Sequence, residues 1–289
     1  MMREMPDGAT DDLLRVQNLV VSFPGATRAA ERIEVVRGLS FTLARERLGI
    51  VGESGSGKSM TGRAILRLIR APGRVTATRL QFDGIDLLAL PERGMRKLRG
   101  ARLSMIMQDP TFSLHPIMSV GRQIGESLTL HESLSRRERK QRVRAMLEAV
   151  RIDDPDRVAK LYPHEISGGM GQRVMIAMML IARPDLLIAD EPTSALDVSV
   201  QSSVLQLIDD LVTERGMGLI LISHDLSLVA RFCDRILVMH RGQVVETCIA
   251  SELHRARHPY TQALLAAVPR LHETRDTLPV LERDDRMST

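Results

Sequence analysis

Short apolar stretches with the patterning of strands fill much of the first 51 residues of the chain. Residues 24–30 interrupt them with a segment that favours a loop. The apolar spacing then becomes helical over residues 60–70 and stops at Ala71-Pro72-Gly73, a strong helix breaker. This part therefore predicts strands, a glycine-rich loop and a helix. The predicted strands are residues 16–23, 33–36, 39–43 and 47–51.

The middle of the chain has a different pattern. From residue 87 to about residue 162, charged and Arg-rich amphipathic segments such as 133–150 replace the strand signals, which predicts a largely helical insertion. Strand signals return at residues 186–189 and 218–222, on either side of a helical pattern over 198–213. Because this order of strand, helix and strand is typical of a parallel crossover, we expect a parallel sheet.

The C-terminal part predicts a hairpin followed by a tail. Residues 236–239 and 243–246 have strand patterning, and His240-Arg241-Gly242 joins them as a turn. Residues 273–289 are polar and charged, which favours a loosely ordered terminus.

Composition narrows the functional classes. With 289 residues, 44% of them hydrophobic, the chain can bury the core of one large domain or two small ones. Its net charge of +4 comes from 40 basic and 36 acidic residues, a mixed surface rather than a basic stripe, so nucleic-acid binding is not expected. The two cysteines, Cys233 and Cys248, are too few for a metal or iron-sulfur site and fit buried thiols in a reducing cytoplasm.

No segment predicts membrane insertion. The N-terminus carries charged residues in place of the apolar core of a signal peptide. The longest strongly apolar run, residues 174–182, is flanked by Arg173 and Arg183 and is far shorter than the ~20 residues that span a bilayer. If the protein works at a membrane, we expect a partner to hold it there.

A glycine-rich loop at residues 52–59 is the first segment whose residues indicate a specific chemistry. It matches the P-loop pattern at every fixed position and lies after an apolar strand and before a helix. The glycines let the backbone curl around phosphate oxygens, Lys58 reaches the β- and γ-phosphates of ATP, and Ser59 offers a hydroxyl to Mg²⁺. The predicted nucleotide-binding residues of this loop are Gly52, Glu53, Ser54, Gly55, Ser56, Gly57, Lys58 and Ser59.

Two carboxylates complete the predicted phosphate chemistry. An apolar strand over residues 186–189 runs directly into Asp190 and Glu191. In a parallel sheet both side chains would emerge at the carboxyl edge, where ligands bind. Asp190 would hold Mg²⁺, and Glu191 could polarise the water that attacks the γ-phosphate. An acidic pair after a strand is a weak signal alone and a stronger one beside a P-loop.

A second phosphate-facing segment opens another predicted helix. Ser167, Gly168 and Gly169 precede an apolar run, so they offer a helix N-terminus and bare backbone. Alone they could be an ordinary helix cap. The whole segment 166–173, Ile-Ser-Gly-Gly-Met-Gly-Gln-Arg, resembles the signature of ABC transporter ATPases.

The order of further motifs also resembles that family, over roughly residues 13–269. By this resemblance, Gln108 is the Q-loop glutamine and a Mg²⁺ ligand, and Ser194-Ala195-Leu196-Asp197 is the D-loop. His224, after the predicted strand 218–222, is the switch histidine. Phe23 falls near the place where an aromatic ring stacks on adenine. Glu191, His224 and Gln108 are then the catalytic set, and Asp197 joins the nucleotide-binding residues.

The resemblance implies an α/β fold: a RecA-like P-loop NTPase core with a mostly parallel sheet, an N-terminal antiparallel β region and an inserted helical subdomain. The ATP-binding domain would span residues 13–270, with the helical subdomain at about 95–170 and a polar tail at 271–289. Two ATPase subunits of this family face head to tail, so each site is shared. The partners implied are a second ATPase subunit, a paralogue in particular, two transmembrane permease subunits and a periplasmic or extracellular solute-binding protein. The chain would lie at the cytoplasmic face of the cell membrane.

Two segments are similar to dipeptide, oligopeptide and nickel importer ATPases in particular. One is Gln108-Asp109-Pro110 with Ser113-Leu114-His115-Pro116, and the other is residues 258–265, His-Pro-Tyr-Thr-Gln-Ala-Leu-Leu. His115 stands where that branch commonly has Asn, and Gly171 where a basic or amide side chain is usual. Gly171 costs helix stability and removes a side chain that could face the partner subunit. The tail lacks a cysteine cluster, so no iron-sulfur role is expected.

The resemblance leaves the solute open. Di- or oligopeptides are the main expectation, with nickel, glutathione, opines or other small solutes as alternatives. An exporter subunit would commonly be fused to membrane helices, and soluble ABC proteins of DNA repair or translation commonly carry two cassettes or long insertions; this chain shows neither. A nucleic-acid-stimulated ATPase would show a steep salt dependence of binding.

Overall fold

The computed structural model describes residues 12–25, 31–107, 114–194 and 198–267. Two sheets and a set of helices make up this part of the chain. Its strands are β1 Leu14–Phe23, β2 Ile33–Leu43, β3 Arg47–Val51, β4 Arg74–Thr76, β5 Arg79–Phe82, β6 Ile85–Asp86, β7 Leu103–Ile106, β8 Leu186–Asp190, β9 Gly218–Ser223, β10 Arg235–His240 and β11 Gln243–Ile249. Its α-helices are α1 Lys58–Ile65, α2 Glu92–Leu98, α3 Val120–Thr129, α4 Arg136–Ala149, α5 Pro155–Val158, α6 Gly168–Leu180, α7 Val198–Arg215, α8 Leu226–Phe232 and α9 Pro259–Ala267, with 3₁₀ turns at Pro163–Glu165 and Ala250–Arg255.

The larger sheet is mostly parallel. Its strand order is β11-β10-β3-β9-β8-β7, and every neighbouring pair is parallel except the β10–β11 hairpin. The crossover from β8 through α7 to β9 has the predicted order of strand, helix and strand. The predicted parallel sheet and the late hairpin are therefore confirmed.

The smaller sheet is antiparallel and N-terminal, as predicted. Its order is β2-β1-β5-β6, with β4 also paired to β1. The prediction of separate strands at residues 33–36 and 39–43 is wrong, because β2 runs through both. The β1–β2 register shifts where Gly38 adopts a φ of +67°, so a bulge bends the strand without ending it.

The helical prediction for residues 87–162 is wrong at one point. Strand β7 lies inside that range and pairs with β8 at the edge of the larger sheet. All four of its residues are buried, so they lack the alternation that identifies a half-buried strand. Farther along, α3 and α4 confirm the helical character, and α4 begins with a capping box between Ser135 and Glu138.

The first helix is shorter than predicted. We predicted residues 60–70, whereas α1 ends at Ile65, and Arg67 then takes a φ of +52°. The Arg99 guanidinium donates to the carbonyl oxygens of Leu66 and Arg67 at 2.7 and 3.1 Å. This side chain satisfies carbonyls that the helix end leaves free, so the chain turns before Pro72.

Two hydrophobic cores hold the phosphate-binding edge in place. One packs the antiparallel sheet and α1 against one face of the larger sheet, and the other packs α3, α4, α6 and α7 against the opposite face. Ile50 belongs to the first core and Val51 to the second, so the strand before the glycine loop is fixed from both sides. Within the described ranges, no helix is long and apolar enough to cross a bilayer.

Candidate nucleotide site

Three neighbouring parallel strands end at one edge of the larger sheet. The order β3-β9-β8 places the glycine loop after β3 beside His224 after β9, and Asp190 and Glu191 at the end of β8. The carboxyl edge of a parallel sheet is where such folds bind ligands. Residues that are far apart in sequence thus meet around the start of α1.

The glycine loop folds tightly over its neighbours. Gly57 has a φ of +101° and caps α1, and a Cβ there would lie 2.4 Å from the carbonyl oxygen of Val35. A Cβ on Gly52 would lie 2.1 Å from the carbonyl oxygen of Met239. These two positions therefore require glycine because a side chain would collide with backbone. The loop leads directly into the N-terminus of α1, whose first N–H groups are suited to an anion.

The Lys58 side chain is buried at the base of this loop. Its ammonium group donates to the carbonyl oxygens of Gly52 and Glu53 at 2.7 and 2.8 Å. Burial lowers the pKa of Lys58, and the carboxylates of Glu191, Asp190 and Glu53 act in the opposite direction. A buried cation bonded to neutral carbonyls beside a helix N-terminus is suited to phosphate.

The hydroxyl of Ser59 and the carboxylate of Asp190 form a direct pair. Ser59 Oγ donates to Asp190 Oδ1 at 2.7 Å, although the two residues come from α1 and β8. Burial raises the pKa of Asp190, while the Ser59 hydrogen bond and the charge of Arg63 lower it. A hydroxyl and a carboxylate oxygen are hard ligands of the kind Mg²⁺ prefers. These residues fit the predicted magnesium ion, whose bound charge would offset that of the phosphates.

Glu191 and His224 meet beside this pair. Glu191 Oε1 lies 3.2 Å from His224 Nδ1, and the His224 side chain is 64% exposed. Glu191 also takes a φ of +46°, a region that residues with a Cβ rarely adopt, and its N–H donates to the Ile222 carbonyl. The local backbone thus turns the glutamate towards the end of β9. A carboxylate and an imidazole at this distance can orient water and exchange a proton.

The signature segment begins α6, as predicted. Ser167 caps the helix and accepts a hydrogen bond from the Met170 N–H at 3.3 Å. Ser167 and Gly168 are exposed, and a Cβ on Gly168 would meet nothing within 4 Å. Among the described residues, no hydrogen bond joins Ser167 to the glycine loop of its own chain. The exposed start of α6 and the glycine loop are therefore separate surfaces in the described part of the chain.

Gly171 lies on the inner side of α6. It is buried, and a Cβ there would lie 3.8 Å from Leu114 Cδ1. A side chain at this position would therefore face Leu114, so the loss of a partner-facing group is not supported by the geometry.

The other predicted site residues are placed as follows. Glu53, Ser54 and Gly55 form the exposed part of the glycine loop, whereas Ser56 is 4% exposed. Phe23, at the end of β1, is half-buried, and its Cε1 lies 2.8 Å from the ideal Cβ position of Gly73. A Cβ added at Gly169 would lie 3.6 Å from Val200 Cγ1. The residues Gln108 and Asp197 lie outside the described residues.

Two of the contacts at the site were not predicted from the sequence. The buried Gln172 amide, one helical turn beyond Gly168, donates to the carbonyl oxygen of Pro192, which links α6 to the segment after Glu191. The Tyr260 hydroxyl accepts a hydrogen bond from the Glu53 N–H. A glutamine beside the apolar run of α6 signals a buried amide that needs a partner, but nothing local to Tyr260 points at the glycine loop.

Comparison with known proteins identifies the family of the chain. Residues 36–194, more than half of the chain, match the ABC transporter family. The chain is 47% identical to the dipeptide transport ATP-binding protein DppD of Haemophilus influenzae, covering 93% of this chain and 82% of that protein. It is 48% identical to the glutathione import ATP-binding protein GsiA of Escherichia coli strain CFT073, covering 90% of this chain. The chain spans only 42% of the length of GsiA.

A solved structure shows the same fold. The dimeric bacterial ABC transporter cassette MJ0796 superposes with a TM-score of 0.72 at 27% identity, over 82% of this chain and 98% of that one. The α/β architecture predicted from sequence, a P-loop NTPase core with an antiparallel β region, is thereby confirmed. The chain therefore belongs to the ABC transporter family, in the group of ATP-binding proteins that includes DppD.

Proposed function

We propose that this chain binds ATP with Mg²⁺ at the edge formed by β3, β9 and β8, and that hydrolysis there drives the import of a small solute. The observation that carries the proposal is the convergence of Lys58, the Ser59–Asp190 pair and the Glu191–His224 pair on one sheet edge. These groups come from separate parts of the chain, and together they provide a cation, two Mg²⁺-type ligands and a base, which are the groups that phosphoryl transfer to water uses. Water attacks the γ-phosphate and yields ADP and inorganic phosphate.

Each side chain has a role that follows from its position. Lys58 and the loop N–H groups hold phosphate oxygens, while Ser59 and Asp190 hold Mg²⁺. Glu191 orients and polarises the attacking water, and His224 steadies the developing charge. Gln108 as a further Mg²⁺ ligand, Asp197 in the nucleotide site and Phe23 against adenine complete the set; these roles come from the motif pattern.

The complete site is composed of two chains. The exposed N-terminus of α6 at Ser167 and Gly168 covers the nucleotide held by the glycine loop of a second ATPase subunit. The dimeric state of the MJ0796 cassette supports this arrangement. Closure on ATP and reopening after hydrolysis then follow from γ-phosphate contacts that only the closed pair provides.

The assembly we propose contains a second, paralogous ATPase subunit, two membrane permease subunits and a solute-binding protein. It places the chain at the cytoplasmic face of the cell membrane. The nearby relatives act in dipeptide transport and glutathione import, so a peptide-like solute is the first candidate. Purifying the complex with its binding protein and identifying the bound ligand by mass spectrometry would separate peptides from glutathione, nickel and opines.

The catalytic assignment is tested with Glu191→Gln. Since glutamine cannot accept a proton from water, we expect ATP binding to persist while turnover falls by about 100-fold or more. Steady-state phosphate release measures turnover, and isothermal titration measures binding. Glu148→Gln, an exposed change of the same type on α4, is the matched control and should leave both unchanged.

The binding assignment is tested with Lys58→Ala. Loss of the buried ammonium should abolish measurable ATP affinity, since the phosphates lose their main cation. Retained affinity would contradict the glycine-loop assignment. Unchanged turnover in Glu191→Gln would contradict the catalytic one. A rise of ATPase rate on addition of DNA or RNA would favour a nucleic-acid function instead.

A further inference from the structure

The segment His258-Pro259-Tyr260-Thr261 at the start of α9 has no part in the function proposed above. Its Tyr260 side chain is nevertheless almost fully enclosed, with 4% of the residue exposed. The phenolic oxygen accepts a hydrogen bond from the backbone N–H of Glu53 at 3.0 Å. A residue near the described end of the chain thus contacts the glycine loop, which lies 207 positions earlier.

The peptide unit that bonds to Tyr260 also bonds to Lys58. The peptide between Gly52 and Glu53 carries the Gly52 carbonyl on one side and the Glu53 N–H on the other. Lys58 Nζ donates to the Gly52 carbonyl oxygen at 2.7 Å, and Tyr260 accepts from the N–H. Because the peptide is planar, a hydroxyl that fixes the N–H also fixes the direction of the carbonyl. Tyr260 and Lys58 therefore hold the two ends of one rigid unit.

The tyrosine is itself held by rigid neighbours. Its ring centroid lies 4.1 Å from that of His240, at the end of β10. Its N–H donates to His258 Nδ1 at 3.2 Å. The Glu246 carboxylate, on β11, accepts from the N–H groups of Arg257 and His258 at 2.7 and 3.3 Å. The start of α9 is thereby fixed to the β10–β11 hairpin, so the hydroxyl has a defined position.

The hairpin approaches the loop at a second point. The Gly242 N–H donates to the Ser56 carbonyl oxygen at 3.1 Å. Residues from the hairpin and from α9 thus bond to opposite ends of the glycine loop, at Ser56 and at Glu53. The loop is thus attached at two points, one by backbone alone and one by the Tyr260 side chain.

We propose that Tyr260 is a positioning residue of the ATP site: its hydroxyl orients the Gly52–Glu53 peptide and, through the Gly52 carbonyl, the Lys58 ammonium. The proposal rests on the ATP site assigned above. Tyr260 itself transfers no proton in this role. Its effect belongs to nucleotide binding, because the Glu191–His224 pair lies at the ends of β8 and β9 and does not depend on this peptide.

The test uses the full chain with Tyr260→Phe, which removes the hydroxyl and keeps the ring on His240. We expect ATP affinity by isothermal titration to weaken about three- to tenfold, the size of one lost hydrogen bond. We also expect KM for ATP to rise with kcat nearly retained. Tyr162→Phe removes the hydroxyl of the other tyrosine of the chain, which is 41% exposed, and should change neither constant.

If the Tyr260 side chain served only to pack α9 against the fold, the Tyr260→Phe variant would give a different result. Tyr260→Phe would then lower the urea midpoint of unfolding and leave ATP affinity and KM unchanged, which overturns the proposal. Lys58→Ala is measured in parallel. If it abolishes binding while Tyr260→Phe binds as the wild type does, the ATP site stands and the proposal fails. If Lys58→Ala binds normally, the assigned site fails and the proposal with it.

A second measurement needs no variant. Hydrogen exchange of the wild-type chain without nucleotide should show the Glu53 amide protected, since its N–H is bonded to an enclosed hydroxyl. The amides of the exposed Ser54 and Gly55 serve as the internal reference and should exchange faster. Exchange of Glu53 at the rate of these two neighbours overturns the proposal.

Discussion

Burial controls how the two cysteines will react. Cys233 is 8% exposed, whereas Cys248 is half-buried on β11. Burial raises the pKa of the Cys233 thiol to about 12 and also raises that of Cys248. Because the thiolate is the reactive form, we expect native Cys233 to resist iodoacetamide at pH 8 while Cys248 is modified faster. Peptide mass spectrometry after timed labelling measures both sites, and equal rates in guanidinium chloride serve as the control.

The raised pKa of the Cys233 thiol makes the free energy of unfolding depend on pH. The unfolded thiol ionises near pH 9 and the folded one near pH 12, so between these values the unfolded chain loses its proton first. The contribution of Cys233 is therefore complete below about pH 9 and declines as pH rises towards 12. Urea unfolding of wild type and Cys233→Ala from pH 8 to 10.5 should show the difference between them shrinking with pH. A constant difference would contradict the assigned burial effect.

Also at the scale of the residue, part of the site could be predicted because its residues are consecutive in the sequence. Residues 52–59 are consecutive and lie between a strand and a helix, so their pattern alone indicates the loop. The pairing of Ser59 with Asp190 needed one further inference, that parallel strands end at a common edge. The contact of Tyr260 with Glu53 is a single bond across 207 positions. No periodicity encodes such a bond, so it could be found only in the folded chain.

At the scale of the element, length and burial decided which strands could be predicted. The hairpin β10–β11 has strands of six and seven residues and a turn whose Arg241 and Gly242 both have positive φ. Strands β4 and β6 contain three and two residues, too few to show a period of two. Strand β7 is buried on both faces and lacks alternation. In these three strands tertiary pairing, rather than pattern, forms the element. Strand β5 was also missed, although its burial alternates with a period of two.

Helix α6 offers a stabilising change at Gly171. The site is helical and buried, and a Cβ there would make an ordinary contact with Leu114 at 3.8 Å. Gly171→Ala should therefore raise the free energy of unfolding by about 0.5–1 kcal/mol, through helix propensity and a less flexible unfolded chain. Urea titration measures the change.

The matched contrast is Gly62→Ala in α1. There the added Cβ would lie 3.1 Å from Ile188 Cγ2 and 3.3 Å from Ile222 Cδ1, inside a packed core. We expect this substitution to lower the free energy of unfolding by about 1–3 kcal/mol. The two glycines should therefore respond with opposite signs. Equal effects at both positions would mean that local packing does not control the outcome.

At the scale of the whole molecule, the proposed shared site uses two separate surfaces of each chain. The glycine loop lies at the edge of the sheet, while the N-terminus of α6 is exposed at Ser167 and Gly168. Binding energy from the γ-phosphate can then be used to bring two chains together. In the proposed arrangement the ATPase activity is a property of the pair of chains, so we expect binding of ATP and its hydrolysis to be separable by substitution.

The substitution Gly168→Asp distinguishes the pairing of two chains from the binding of ATP to one chain. Nothing lies within 4 Å of a Cβ at Gly168, and an acidic residue in the first turn of α6 is favourable for the helix, so the isolated chain should fold normally. In the pair, the new carboxylate would face a nucleotide phosphate and repel it. With the second ATPase subunit present, we expect Glu191→Gln to form an ATP-dependent dimer with it, by light scattering after gel filtration, and Glu191→Gln with Gly168→Asp to stay monomeric while its ATP affinity by titration is unchanged.

The control for this experiment is Glu191→Gln with Gly216→Ala. A Cβ at Gly216 also meets nothing within 4 Å, although its φ of +59° predicts some strain at that exposed turn. This pair of changes should still dimerise, because Gly216 follows α7 and is remote from the signature segment in sequence. Dimerisation of the Gly168→Asp variant would contradict a site shared through α6. Since repulsion acts only on a phosphate placed against the helix N-terminus, loss of pairing without loss of affinity locates the second half of the site on the facing chain.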